Sequence, residues 1–169
     1  MITFVCGLSK SGKSTLIAQG ELATIPADHI KASTLLRDLD RPTVDLRASN
    51  VVDNQDILVD WLDHSLRSDP RLVVLDGHFL LETVDGPQLV PDRALKKLPI
   101  TRVICVRGNP AEIAQRRRGS SLTGSIEDIR DLTVIEESQA RRFARLTRVK
   151  LLTVNSGDVA AFRSALRSS

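Results

Sequence analysis

Residues 7–15, Gly-Leu-Ser-Lys-Ser-Gly-Lys-Ser-Thr, constrain this chain more than any other stretch. They match the pattern G, four residues, G-K-[ST], and lie between an apolar run, ITFVC, and a helical stretch, KSTLIAQGEL, which is the context the pattern requires. Gly7 and Gly12 allow backbone N–H groups to turn inward around phosphate oxygens, where a Cβ would obstruct the turn or the approach. A helix starting near Lys13 points its unpaired N–H groups and the positive end of its dipole at the same anion. Gly7, Ser9, Lys10, Ser11, Gly12, Lys13, Ser14 and Thr15 are therefore the residues expected around ATP. Lys13 is expected at the β- and γ-phosphates and the Ser14 hydroxyl on Mg²⁺. Lys10 and Thr15 have two readings, a phosphate contact or an ordinary solvated or packed side chain.

The rest of the chain alternates between two periodicities. Ile2 to Cys6, Leu72 to Leu75, Val103 to Val106 and Val149 to Val154 are short, continuous apolar runs, the pattern of strands buried on both faces of a parallel sheet. Between them lie helical stretches at Lys13 to Leu22, Asp53 to Arg67, Ala111 to Arg118, Ser125 to Leu146 and Val159 to Leu166. A further short strand is expected near His29 to Lys31. The alternation predicts an α/β fold with right-handed crossovers. Residues 82–99 hold three of the seven prolines and read as a surface connection with one helical turn starting at Pro91. With 169 residues and no linker or repeat, one domain spanning 1–169 is expected.

Composition narrows the function classes. No uncharged run approaches the roughly 20 residues that cross a bilayer. The first ten residues lack the basic flank and cleavage pattern of a signal peptide, so a cytoplasmic location is expected. Cys6 and Cys105 each sit inside a strand-like run and read as buried thiols rather than a disulfide, a metal site or a nucleophile. Charge is uneven: residues 1–92 carry 8 Lys/Arg against 14 Asp/Glu, and residues 93–169 carry 16 against 7. The basic half fits solvated helix faces, a polyphosphate clamp or nucleic-acid binding. With no tyrosine and five aromatics there is no stacking stripe for single strands, so nucleic acid is the minority reading.

A second motif follows the Leu72 run. Arg71-Leu72-Val73-Val74-Leu75-Asp76-Gly77-His78 is a buried strand that delivers a carboxylate at its C-terminal end. Beside a phosphate loop, Asp76 is expected to hold Mg²⁺ directly or through water. Alone, it would read as a strand-end turn residue. His78 is either a hydrogen-bonded structural histidine or a group facing the reaction.

The phosphate loop, the DxH pair Asp76 and His78, and residues 129–158 together resemble the adenylate kinase superfamily, most closely its small archaeal-type and nuclear adenylate kinase/ATPase members. The resemblance covers nearly the whole chain, least so residues 82–99. It implies a three-layer αβα architecture around a five-stranded parallel sheet, a monophosphate-binding flap at about 31–60 and a short arginine-bearing lid at about 116–126. Residues 31–38 (KASTLLRD) look like the acceptor segment, with Ser33 as helix N-cap and Arg37 gripping the acceptor phosphate; a plain surface arginine is the alternative. Arg116 matches the lid arginine best. Arg118 and, from the later helix, Arg130 are the other arginines assigned to the acceptor, whereas Arg141, Arg142, Arg145 and Arg148 are expected on an exposed face. The turn after the last strand, with Asn155, is expected against the adenine. The glutamine-bearing motif with which larger adenylate kinases read AMP is not evident near Asp53 to Ile57.

Phosphoryl transfer asks a protein for positioning and charge neutralisation rather than covalent catalysis. Lys13, Asp76, His78 and Arg116 are the expected catalytic groups, with Ser14 and Asp76 as metal ligands. The leading expectation is an enzyme: a Mg-ATP-dependent kinase acting on a phosphorylated small molecule, a nucleoside monophosphate. Two alternatives stand beside it, an ATPase assembly or switch factor with an RNA or protein partner, and a kinase of a nucleic-acid end or small metabolite.

Overall fold

A computed structural model describes residues 1–20, 27–120, 122 and 124–168. Five strands form one parallel sheet in the order β2-β3-β1-β6-β7: β1 (Ile2–Cys6), β2 (Ala27–Lys31), β3 (Leu72–Asp76), β6 (Ile100–Arg107) and β7 (Lys150–Asn155). Alternate residues of the central strand serve opposite faces, as the period of two requires. Ile2, Phe4 and Cys6 pack with helix α3 (Ala48–Ser68) through Leu58 and Leu62 and with α6 (Ile126–Thr147) through Phe143. Val5 packs on the other face with Leu16 and Ile17 of α1 (Lys13–Gln19) and Phe162 of α7 (Val159–Arg167). The outcome is the α/β, five-stranded parallel architecture expected from the continuous apolar runs. Among the described residues no helix is long and apolar enough to cross a membrane.

Register fixes where chemistry can occur. Val5 lies opposite Asp76, and Lys31 opposite Asp76 on its other side, so β1, β3 and β2 end together. The loop after β1, the carboxylate at the end of β3 and the start of α2 (Ala32–Asp38) share the C-terminal edge of the sheet, where ligands of open α/β sheets bind.

Several expectations are corrected. Residues 82–99 are not merely a connection: β4 (Leu80–Thr83) and β5 (Gly86–Leu89) form an antiparallel hairpin, and α4 (Asp92–Leu95) follows Pro91. Asp85-Gly86 is a hairpin-turn dipeptide, with Gly86 at φ 101° and the Thr83 hydroxyl donating to the Gly86 carbonyl at 2.7 Å. Pro87 is tolerated because this two-stranded ribbon leaves edges free of a ladder. Ser33 is not an N-cap: α2 begins at Ala32 with Lys31 in the capping position, because β2 runs directly into the helix. Helix α3 starts five residues before Asp53, where the Arg47 N–H donates to Asn50 Oδ1. The expected end of α1 at Leu22 lies outside the described residues, as do Ser121 and Thr123 of the expected lid.

Candidate active site

The loop between β1 and α1 lines a cavity with residues Ser9 to Gly12. Gly7 (φ 147°) and Gly12 (φ 98°) have left-handed conformations. A Cβ on Gly7 would lie 2.5 Å from the Val106 carbonyl oxygen, and one on Gly12 2.5 Å from Ser156 Oγ. Both positions therefore require glycine. Ser11 Oγ is buried without a hydrogen-bond partner, an orphan donor inside the loop.

Lys13 is buried, and its ammonium donates to the carbonyls of Gly7 at 2.7 Å and Leu8 at 3.3 Å, with Asp76 Oδ1 at 3.9 Å. Burial pulls its pKa down, and the nearby Asp76 and Glu136 carboxylates oppose that. The Ser14 hydroxyl donates to Asp76 Oδ2 at 2.7 Å. One buried carboxylate and one hydroxyl at the mouth of a phosphate loop match the sparse donor set that Mg²⁺ takes from protein when phosphates and waters fill the other positions. No group of three or more His, Cys, Asp or Glu among the described residues makes a closed metal cage.

His78 Nδ1 lies 2.8 Å from the Gly7 carbonyl oxygen. A carbonyl only accepts, and although the Lys13 ammonium lies 3.4 Å from the same nitrogen, the shorter contact assigns the proton to Nδ1 and the lone pair to Nε2. Burial, reinforced by the Lys13 charge, pushes the imidazole well below its ordinary 6.5, which keeps it neutral at physiological pH. The Cys6 thiol is pushed up by its burial, and both cysteines are free and buried, so neither serves as a nucleophile.

The three consecutive arginines separate by direction, since a helix turns about 100° per residue. Arg116, on α5 (Pro110–Arg117), is exposed, donates to the Lys10 carbonyl at 3.2 Å and pairs with Glu112 at 2.7 Å. Arg117 is 3% exposed and holds Glu82 of the hairpin in a two-pronged pair at 2.6 and 2.8 Å. Arg118 is exposed beyond the helix end.

A cavity of about 920 Å³ runs from the phosphate loop to α2 and α3. Of the residues expected around ligand, Ser9, Lys10, Ser11, Gly12, Lys13, Ser14, Thr15, Ser33, Asp76, His78 and Arg116 line it. Gly7 sits behind it, holding Lys13 and His78 through its carbonyl. Asn155 is exposed, and the next two residues, Ser156 and Gly157, line the wall instead. Arg37, Arg118 and Arg130 are exposed and do not line the cavity. The cation that lines the cavity beside α2 is Lys31, because α2 starts at Ala32 and turns Arg37 outward.

Glu136 is a component that sequence reading missed. This α6 carboxylate is 1% exposed and accepts from the N–H groups of Gly7 at 2.9 Å, Phe79 at 3.0 Å and Leu80 at 2.6 Å. It fastens the first glycine of the phosphate loop to the segment after His78. Burial raises its pKa, and the N–H donors and Lys13 oppose that. A glutamate inside an amphipathic helix carries no local sign of such a role; only the packing of Ala140 and Phe143 on the core, one and two turns away, orients it inward.

Strand, glycine loop, helix and a carboxylate on the adjacent strand make this a P-loop kinase fold. The chain belongs to the AAA domain family, whose sequence signature matches residues 6–136. A gluconokinase from Sinorhizobium meliloti 1021 is similar in fold, with a TM-score of 0.52 and 16% identity over 96% of this chain and 87% of that one. Shikimate kinase from Aquifex aeolicus is similar in the same way, with a TM-score of 0.53 and 14% identity over 98% and 96% of the two chains. No curated protein matches the sequence.

Proposed function

We propose that this chain is a Mg-ATP-dependent kinase that transfers the γ-phosphoryl group to a nucleoside monophosphate, in the manner of a small adenylate kinase. The observation that carries the reading is the single cavity joining the phosphate loop to α2 and α3, with Lys31 in register with Asp76 between the two ends. Loop amides and Lys13 hold the β- and γ-phosphates, and Arg116 closes over them from α5. Ser14 and Asp76 hold Mg²⁺, which when bound neutralises charge on the phosphate oxygens. Lys31 and Ser33 take the acceptor phosphate in place of Arg37. An ionised oxygen of that phosphate attacks the γ-phosphorus as the bond to the β,γ-bridging oxygen breaks, and ADP departs; no proton has to be removed from the nucleophile. The fold relatives phosphorylate small molecules by name, which supports a small acceptor.

A coupled assay for ADP formation across the common nucleoside monophosphates, with Lys13→Ala as blank, tests the reading. Turnover with at least one monophosphate, absent in the variant, is expected. No turnover with any of them removes the acceptor assignment.

One observation favours a second reading, ATP hydrolysis by a switch or assembly factor. The His78 Nε2 lone pair on the cavity wall suits a water nucleophile, which has a proton to lose, better than an ionised phosphate. Acceptor-independent hydrolysis that falls in His78→Ala while ATP binding persists marks that reading.

A further inference from the structure

We propose that the groove between α6 and the free edge of β7 docks an extended acidic peptide segment of a partner protein, which adds a strand to the sheet and lies along a ladder of arginines. The groove shares no lining residue with the active-site cavity. β7 ends the sheet on one side. The Ser156 N–H donates to the Arg107 carbonyl at 2.8 Å, toward β6, and alternate residues of a strand bond to the same side. Leu152 and Val154 therefore also face β6. Leu151 and Thr153 aim their N–H and C=O groups away from the sheet, where no strand among the described residues pairs with them.

The surroundings select the partner's chemistry. A groove of about 610 Å³ is lined by the apolar Ala144, Val149 and Leu151 and by Arg141, Arg145 and Arg148, with no carboxylate among its described lining residues. Arg141 pairs with Glu137 at 3.0 Å, but Glu137 also holds Arg107 at 2.6 Å. Arg145 and Arg148 make no ion pair or hydrogen bond to a described residue. The three arginines recur at i, i+4 and i+7, a spacing that sets like charges side by side and disfavours the helix unless an anion lies across them. Arg148 also caps α6 at φ 57°, a left-handed conformation that glycine usually takes. What arginine adds at that position is a third cation in the groove.

The ladder spans about 10.5 Å of helix at about 1.5 Å per residue. Alternate side chains of an added strand stand about 6.6 Å apart, so carboxylates at every second residue cover the same length. The side chains between them fall on the opposite face, beside Leu152, which packs with the α7 cluster. The fitting segment therefore alternates acidic and apolar residues, with main-chain bonds to β7 giving affinity and the arginines giving specificity. Nucleic acid would meet the arginines but leave the apolar lining and the strand edge unused. A second copy pairing β7 with β7 about a two-fold axis would set one arginine ladder against another.

The test is fluorescence anisotropy of a labelled peptide of alternating Glu and Val titrated with the full chain, beside its Lys-Val counterpart and a single-stranded oligouridylate RNA. Saturable binding of the Glu-Val peptide alone is expected, weakening as salt rises. Arg145→Glu should weaken it about tenfold or more. Arg148→Gly removes one cation and relieves the left-handed cap, so it should melt no lower than wild type and still bind more weakly; it decides the matter should Arg145→Glu not fold. Exchange of the Leu151 and Thr153 amide hydrogens, followed by NMR, should slow on adding the peptide. No binding of the Glu-Val peptide at millimolar concentration overturns the proposal, as does equal binding of the Lys-Val peptide. Tighter binding of the RNA, affinity that both variants retain, or peptide binding that leaves the Thr153 amide unprotected also overturns it. Protection of the same two amides by wild-type dimers without peptide would give the groove to a second copy instead.

Discussion

The Ser14 hydroxyl donates a 2.7 Å hydrogen bond to Asp76 Oδ2 across 62 residues of sequence, joining the first turn of α1 to the end of β3. Parallel pairing of β1 with β3 brings the two together, since Val5 and Asp76 are register partners and the loop leaves directly from Cys6. The pair is the proposed Mg²⁺ site. Asp76→Asn keeps the shape and the hydrogen bond to Ser14 but loses the charge, so kcat should fall by about 10²-fold or more. Binding of ATP without magnesium should be little affected. Equal loss of magnesium-free binding and of turnover would assign Asp76 to the loop's architecture instead.

Arg116 and Arg117 are neighbours with opposite expected phenotypes. Arg117→Ala leaves Glu82, 15% exposed, without its partner and should cost about 3 kcal/mol in unfolding free energy. Arg116→Ala removes an exposed pair worth at most about 1 kcal/mol and should lower kcat with little change in melting temperature. Chemical denaturation beside kinetics separates them. A stable Arg117→Ala protein with low kcat would exchange the two roles.

Glu136 accepts from three backbone N–H groups, so Glu136→Ala leaves several buried donors orphaned and should destabilise the fold by about 3 kcal/mol or more. Glu136→Gln is nearly isosteric, but its NH₂ must face donors, so it should be destabilised as well, by less. Saturating nucleotide should recover part of the loss, because bound phosphate re-forms the loop. Denaturation midpoints of both variants, with and without Mg-ATP, check this.

The pH dependence of stability has a sign set by His78. Its folded pKa lies well below 6.5, so under mild acid the unfolded chain binds a proton that the folded one refuses. Stability from this group is intact above pH 6.5 and is lost as pH falls below it, by up to about 1.4 kcal/mol per pH unit. The raised Glu136 pKa acts with the opposite sign above pH 4.5 and is common to wild type and variant. Melting curves from pH 7.5 to 5.5 without nucleotide should therefore fall more steeply for wild type than for His78→Asn. Parallel curves would place the proton elsewhere.

Much of the fold was legible because buried parallel strands and a phosphate loop leave local signatures: ITFVC, LVVL and VICV are continuous apolar runs, and Gly7 and Gly12 stand where only glycine fits. The hairpin at 80–89 was hidden by Pro87 and by the prolines that follow at 91 and 99, although Asp85-Gly86 signals the turn. Arg37 illustrates a different limit. Its place in a resembling segment said nothing about helix phase, and starting α2 at Ala32 instead of after Ser33 turns it to solvent and leaves Lys31 at the cavity. Glu136 and the Arg117–Glu82 pair were not legible at all, since their roles come from partners 35 to 129 residues away.

The central claim, that the loop at residues 7–15 is a triphosphate receptor, is tested most directly by calorimetric titration of wild type and Lys13→Ala with Mg-ATP. Saturable one-to-one binding by wild type, weakened by about 10²-fold or more in a Lys13→Ala protein that melts at an unchanged or higher temperature, is the expected result. Folded wild-type protein that gives no heat at millimolar Mg-ATP, or variant and wild type that bind alike, would contradict it.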